Sequence, residues 1–185
     1  MIHMVLGPSR GGKSAYAEHL LSIASGSKKL YVGTLPRVAS YYEIIAHHEC
    51  RRPADWALLE LTADLELDIA KLRNALMCYS HILLDGLTFY ILRLDHANVQ
   101  ACGSPALASL LREAISMATN VILVDCPVSF ALPHRLKELV LVAHSQILNV
   151  CDEVTYVEAT TIRSIDAREA LQLDFVSSGL TGISR

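Results

Sequence analysis

The chain has no apolar run approaching the ~18–20 residues that a membrane helix needs. Its longest, around Leu139 to Val142, is interrupted by His144 and Ser145, so no membrane-spanning segment is expected. A basic stripe is also lacking: 16 Lys and Arg are scattered among 19 Asp and Glu, for a formal charge of −3. That balance leaves no electrostatic footprint for a nucleic acid and makes a small molecule the expected partner. The five cysteines, Cys50, Cys78, Cys102, Cys126 and Cys151, form no C-x-x-C pair; an odd, dispersed set suits reduced thiols in a cytosolic protein and argues against a cysteine metal site. No Pro/Gly/Ser-rich linker divides the 185 residues, so one domain is expected. Met1 to Leu6 are too short for a signal peptide and lead directly into a glycine motif, which points to a cytoplasmic location.

What the chain does have is apolar residues, 52 % of the total, with a mean hydropathy of +0.34. Short apolar runs at Ile2 to Leu6, Leu30 to Val32, Ile82 to Leu84, Val121 to Val124 and Val154 to Val157 read as buried strands. Between them, Ser14 to Ala24, Leu65 to Met77, Pro105 to Ala118 and Leu132 to Val150 carry apolar residues at three- and four-residue spacing, as helices do. This alternation predicts a three-layer α/β fold with a mostly parallel central sheet. A shorter helix is expected over Tyr41 to Glu49, and Trp56 to Leu61 reads as an added strand before Thr62 or Asp64 caps the next helix. The pattern weakens beyond residue 158, so 159–185 reads as an extension of the same domain: an appended helix and tail, or an oligomer contact.

Gly7-Pro8-Ser9-Arg10-Gly11-Gly12-Lys13-Ser14 satisfies G-x-x-x-x-G-K-[ST], with a strand pattern before it and a helix pattern after it. Glycines allow backbone N–H groups to turn toward phosphate oxygens, and the following helix adds the positive end of its dipole. Lys13 can neutralise β/γ charge and Ser14 can hold Mg²⁺. A nucleoside triphosphate, GTP or ATP, is the expected ligand. A metal-facing acid is expected at the end of a neighbouring strand, and Asp85, closing Ile82-Leu83-Leu84, is the candidate; its competing role is to cap the next turn. His47-His48-Glu49-Cys50-Arg51-Arg52-Pro53 admits two readings. Either an imidazole attacks the α-phosphate while Arg51 and Arg52 hold phosphate charge, or the histidines and arginines are solvated helix-end residues.

Taken together, Gly7 to Ser14, Leu30-Tyr31-Val32-Gly33-Thr34, His48-x-x-x-Arg52-Pro53-Ala54-x-Trp56, Glu60 and Leu83-Leu84-Asp85-x-Leu87-Thr88 resemble the bifunctional adenosylcobinamide kinase/adenosylcobinamide-phosphate guanylyltransferase family of cobalamin biosynthesis. The likeness covers residues 1 to 158 and is most specific at the His-x-x-x-Arg-Pro-x-x-Trp signature. It implies a P-loop enzyme, typically a trimer, that phosphorylates a corrinoid side arm and then attaches GMP carried on a histidine. That histidine corresponds to His48, with Lys13 and Arg52 as its catalytic partners. By the same resemblance, GTP contacts fall on Gly7 to Ser14, Thr34, Leu35, Pro36, Glu49, Cys50, Arg51, Arg52, Glu60 and Asp85, and Mg²⁺ on Ser14 and Asp85.

This sequence departs from the family in its second half. Cys126-Pro127-Val128-Ser129 stands where the family writes Asn-Glu-Val-Gly, with Asp125 the nearest acid. Arg37-Val38-Ala39-Ser40-Tyr41-Tyr42 replaces an acid-rich stretch, and His144-Ser145-Gln146 lies where Gly and Asn are expected. Two further functions therefore stand beside the transferase: a P-loop small-molecule kinase without guanylylation, and a nucleotide-binding paralogue with a regulatory or assembly role. Trp56 reads as a core residue, Cys126 as a buried thiol, and His81, His96, His134 and His144 as non-ligands.

Overall fold

The computed structural model describes residues 1–24, 28–96, 103–117, 119–128 and 131–179, without the side chains of 103, 104 and 175. The strands are β1 (Ile2–Leu6), β2 (Lys29–Gly33), β3 (Ala57–Glu60), β4 (His81–Asp85), β5 (Asn120–Asp125), β6 (Glu153–Glu158) and β7 (Thr161–Ile165). They form one sheet in the order β3-β2-β4-β5-β1-β6-β7, parallel except for the antiparallel β6–β7 hairpin. The helices are α1 (Lys13–Ile23), α2 (Tyr42–Arg51), α3 (Leu65–Cys78), α4 (Leu87–His96), α5 (Gly103–Ser116), α6 (His134–Leu148) and α7 (Ala167–Ser178), with a short 3-10 turn at Ala39–Tyr41. The fold is thus the expected α/β architecture; Ser129 and the tail beyond Gly179 lie outside the described residues.

Side chains alternate across the sheet, because successive residues of a strand point to opposite faces. Ile2, Met4 and Leu6 of β1 join Ile82, Leu84, Val121 and Leu123 in a large core roofed by α3, α5 and α6. Val5, Leu83, Ile122 and Val124 face the other way, onto Ala17 and Leu21 of α1, with Tyr31 and Trp56 beside them. Trp56 is 6 % exposed, which agrees with its reading as core. Each such apolar side chain contributes about 1.5–3 kcal/mol when fully buried.

α4 was not foreseen, whereas α7 falls in the stretch read as an appended helix or an oligomer contact. α4 follows β4 directly across Gly86, whose φ of +87° permits the reversal. α7 is capped by Asp166, which accepts from the N–H of Glu169, and it packs on α6. Asp64, not Thr62, caps α3 by accepting from Leu67 N–H. α2 runs on to Arg51 and stops at Arg52 because Pro53 forces the preceding residue into extended backbone. It buries no residue fully, so it is held over the sheet mainly by polar ties.

Candidate active site

The loop between β1 and α1 is shaped from behind by the β6–β7 hairpin. A Cβ on Gly7 would lie 2.0 Å from the carbonyl oxygen of Val157, so only glycine fits there. Gly11 N–H donates to Pro8 O at 3.0 Å, and Ala159 N–H donates to Gly11 O at 3.0 Å, pinning the loop to the hairpin turn. Gly12, at φ +91°, turns the chain into α1. Lys13 Nζ donates to Pro8 O at 3.2 Å, a short reach from the loop it serves.

This loop opens into a cleft of about 660 Å³. Ser9, Arg10, Gly12, Lys13 and Ser14 line it from the loop side, whereas Gly7, Pro8 and Gly11 shape the loop from behind. His48, Glu49 and Arg51 line it from α2, Arg52 from just past its end, and Thr34, Leu35, Glu60 and Asp85 from the strand ends. Pro36 and Cys50 do not line it. Cys50 lies two residues beyond His48, roughly half a turn around a helix of ~3.6 residues per turn, and its side chain is exposed. Thr34 is almost fully buried and its hydroxyl is committed to Asp85 O and Gly86 O, each at 2.8 Å, so it locks the end of β2 to the end of β4.

Asp85 meets the loop, although β4 is not the strand beside β1. β5 lies between them, and α1 packs across β5 onto β4, bringing Ser14 Oγ to 3.3 Å from Asp85 Oδ1. The other carboxylate oxygen, Oδ2, accepts from Tyr31 Oη at 3.0 Å and stands 3.4 Å from His48 Nδ1. Burial raises the Asp85 carboxyl above its ordinary pKa, opposed by His48, Tyr31, Ser14 and Lys13. Glu18, on α1, completes the group: it accepts from Arg51 Nη2 at 2.7 Å and lies 3.9 Å from His48 Nδ1. Burial would raise the Glu18 carboxyl, but the bonds to His48 and Arg51 outweigh it and hold it below the usual carboxylate range.

Glu18, His48 and Asp85 offer ligand atoms within 4.8 Å of one another. Arg51 already supplies the cation to Glu18, however, and Tyr31 occupies Asp85 Oδ2. The Ser14–Asp85 pair, by contrast, offers two hard oxygen atoms at the helix-facing end of the loop, a donor set that suits Mg²⁺. His47 also lines the cleft and lies 3.2 Å from Arg51 Nη1.

Residues that sequence reasoning passed over sit here too. Tyr31 read as one apolar position of a strand, and Glu18 as one position of a helix. Arg93 of the unforeseen α4 donates to the carbonyls of Thr34 and Leu61. Arg37, in the stretch that departs from the family pattern, bridges Glu49 at 2.8 Å and Glu60 at 2.7 Å across the rim. Cys126 is half-buried and lines the cleft instead of the core; burial pushes its thiol up, with Lys13 opposing.

Asp125 is at the cleft floor but is not free to act there. Its Oδ2 accepts from Thr88 N–H at 2.6 Å, from Thr88 Oγ1 at 2.9 Å and faces His144 Nε2 at 3.0 Å, while Oδ1 accepts from Cys126 N–H at 2.8 Å. His144 Nδ1 faces Asp174 Oδ2 on α7 at 2.7 Å, and Asp174 Oδ1 accepts from Val128 N–H at 3.0 Å. Burial alone would depress His144, but the two acids outweigh it and push its pKa up to about 10. His144 thus has partners on two other elements, β5 and α7.

A glycine loop leading into a helix, a serine–aspartate pair at its mouth and a parallel sheet behind them define the P-loop class of α/β proteins. Within that class the chain belongs to the cobinamide kinase/cobinamide phosphate guanyltransferase family, an enzyme family of cobalamin biosynthesis, whose model matches residues 3–161. Solved structures share the fold at low identity. The flagellar accessory protein FlaH from Methanocaldococcus jannaschii is 11 % identical, with TM-score 0.51 over 92 % of this chain and 80 % of its own. An ATPase from the type III secretion system of pathogenic bacteria is 8 % identical, with TM-score 0.58 over 96 % of this chain and 61 % of its own. Comparison with curated proteins gives no match. No helix of the described residues is long and apolar enough to cross a membrane.

Proposed function

We propose that this protein is a GTP-dependent guanylyltransferase in which His48 carries GMP to a phosphorylated corrinoid acceptor. The observation that carries this reading is that His48, Arg51, Arg52 and Lys13 line one cleft with the phosphate loop. A ring nitrogen of His48 attacks the α-phosphorus, and the bond from that phosphorus to the bridging oxygen breaks, so pyrophosphate leaves with the electron pair. The acceptor phosphate then displaces the imidazole and takes GMP. Lys13 and the loop amides hold the β- and γ-phosphates, and Arg51 and Arg52 offset charge developing around the α-phosphate. Ser14 and Asp85 would hold Mg²⁺, which supplies charge neutralisation on the phosphates.

The guanylyl half-reaction has the fuller set of groups. A kinase step needs an acid or base beside the acceptor hydroxyl, and Asp125 has both oxygens engaged. GTP in preference to ATP, a homotrimeric assembly and a cytoplasmic setting belong to the same proposal and rest on family membership. Incubation with α-labelled GTP tests it: the expected product is protein-bound label that is acid-labile, base-stable and lost in His48→Ala. An unlabelled wild-type protein would overturn the reading, and transfer of γ-label to an acceptor would favour a kinase instead.

A further inference from the structure

Tyr31 Oη lies between two groups, 3.0 Å from Asp85 Oδ2 and 3.3 Å from His48 Nδ1. A phenol has one proton to donate and lone pairs to accept with. The Tyr31 proton goes to Asp85 Oδ2, which leaves only the lone pairs of the hydroxyl oxygen facing His48. Tyr31 can therefore only accept from His48.

The other neighbours of Nδ1 make the same demand. Asp85 Oδ2 at 3.4 Å and Glu18 Oε1 at 3.9 Å are carboxylate oxygens. An unprotonated Nδ1 would set its lone pair against three oxygen atoms; a protonated one is attracted by all three. The neutral ring thus carries its proton on Nδ1 and its available lone pair on Nε2.

We infer that Tyr31 is a positioning residue: it fixes His48 as the Nδ1–H tautomer and so makes Nε2 the nitrogen that is guanylylated. This inference rests on the guanylyltransferase reading above and names the atom that reading leaves open. As Nε2 gives its lone pair to the α-phosphorus, pyrophosphate leaves with the electrons of the broken P–O bond. The Nδ1 proton stays in place. Positive charge then develops on a ring whose N–H already faces Tyr31, Asp85 and Glu18, and these offset it without rearrangement. Because Asp85 also accepts from Ser14 Oγ on its other oxygen, the nucleophile and the phosphate loop are aligned through one carboxylate.

The test is Tyr31→Phe, which keeps the ring under the Arg52 guanidinium, 5.4 Å from its centroid, and removes only the hydroxyl. The rate of His48 labelling by α-labelled GTP should fall about 10–100-fold, as when the partner that orients a functional imidazole is lost. GTP affinity should change by less than about threefold, since no phosphate contact is removed. Long-range ¹H–¹⁵N spectra of nucleotide-free protein, at a pH where the ring is neutral, should show His48 as Nδ1–H in the wild type and a shift toward Nε2–H in the variant. In the labelled wild type, ³¹P coupling should place GMP on Nε2.

GMP on Nδ1, a wild-type ring in the Nε2–H form, or a Tyr31→Phe labelling rate equal to wild type would overturn the inference. A wild-type protein that takes no label yet shows the Nδ1–H ring would sink the guanylyl reading while upholding the tautomer, so the two failures are distinguishable.

Discussion

Two histidines in this molecule sit between carboxylates, and their surroundings divide their roles. His48 belongs to a helix with no fully buried residue, its side chain is 20 % exposed, and its Nδ1 faces Asp85 and Glu18 from the wall of an open cleft. His144 is sealed, 0 % exposed, between Asp125 and Asp174 behind the cleft floor. The first has its Nδ1 turned to acidic neighbours from a cleft wall. The second has both nitrogens committed and serves as a structural clamp joining β5, α6 and α7. Similar residue types thus give a cleft-facing imidazole where water has access, and a buried linkage where it does not.

The comparison can be broken most severely at the sealed site. His144→Leu leaves two buried acids without their shared partner and should destabilise the fold by about 3–5 kcal/mol in urea titration. His48→Leu should cost less than about 1 kcal/mol in the same assay, because the cleft side is solvated. Equal losses for the two variants would erase the distinction.

Dependence on pH sharpens it further. The folded pKa of His144 is raised to about 10, above its ordinary value of 6.5. Its stabilising effect is therefore fully present below about pH 6.5 and is lost as pH rises through about 10, with a slope of at most about 1.4 kcal/mol per pH unit. The change at His144 should flatten in Asp174→Asn when unfolding is followed across that window; an unaltered slope would show that Asp174 does not hold the proton. The smallest effect belongs to a cap remote from both histidines. Asp64→Ala should remove about 1 kcal/mol through α3 alone and leave GTP affinity unchanged in calorimetry.

The ease with which the two sites could be read from sequence follows from how each is built. The phosphate loop is legible because consecutive backbone amides must wrap an anion, which forces Gly, Lys and Ser into one short stretch. Asp85 was legible as a polar residue ending an apolar run. Tyr31 was not, since in a strand of Leu, Tyr and Val its ring looks like core, and only the folded sheet shows its hydroxyl emerging beside α2. The His144 clamp follows no spacing rule: its three members come from β5, α6 and α7, brought together by packing alone. α4 escaped because Leu87-Thr88-Phe89-Tyr90-Ile91 carries little helical periodicity in its polar residues and starts from a glycine turn. The α7 start did have a signal in Asp166-x-x-Glu169, a helix-opening pattern set in a stretch with little apolar periodicity.

The hairpin and helix that follow β5 and α6 also bear on how the protein can be handled. The family match stops at residue 161, but the carboxyl of Asp174, on α7, closes the clamp beneath the cleft. Trimming the gene to its recognisable portion would therefore strip a foundation from the cleft floor, and a fragment ending near residue 161 should misplace Thr88 and Cys126 even with every signature residue intact.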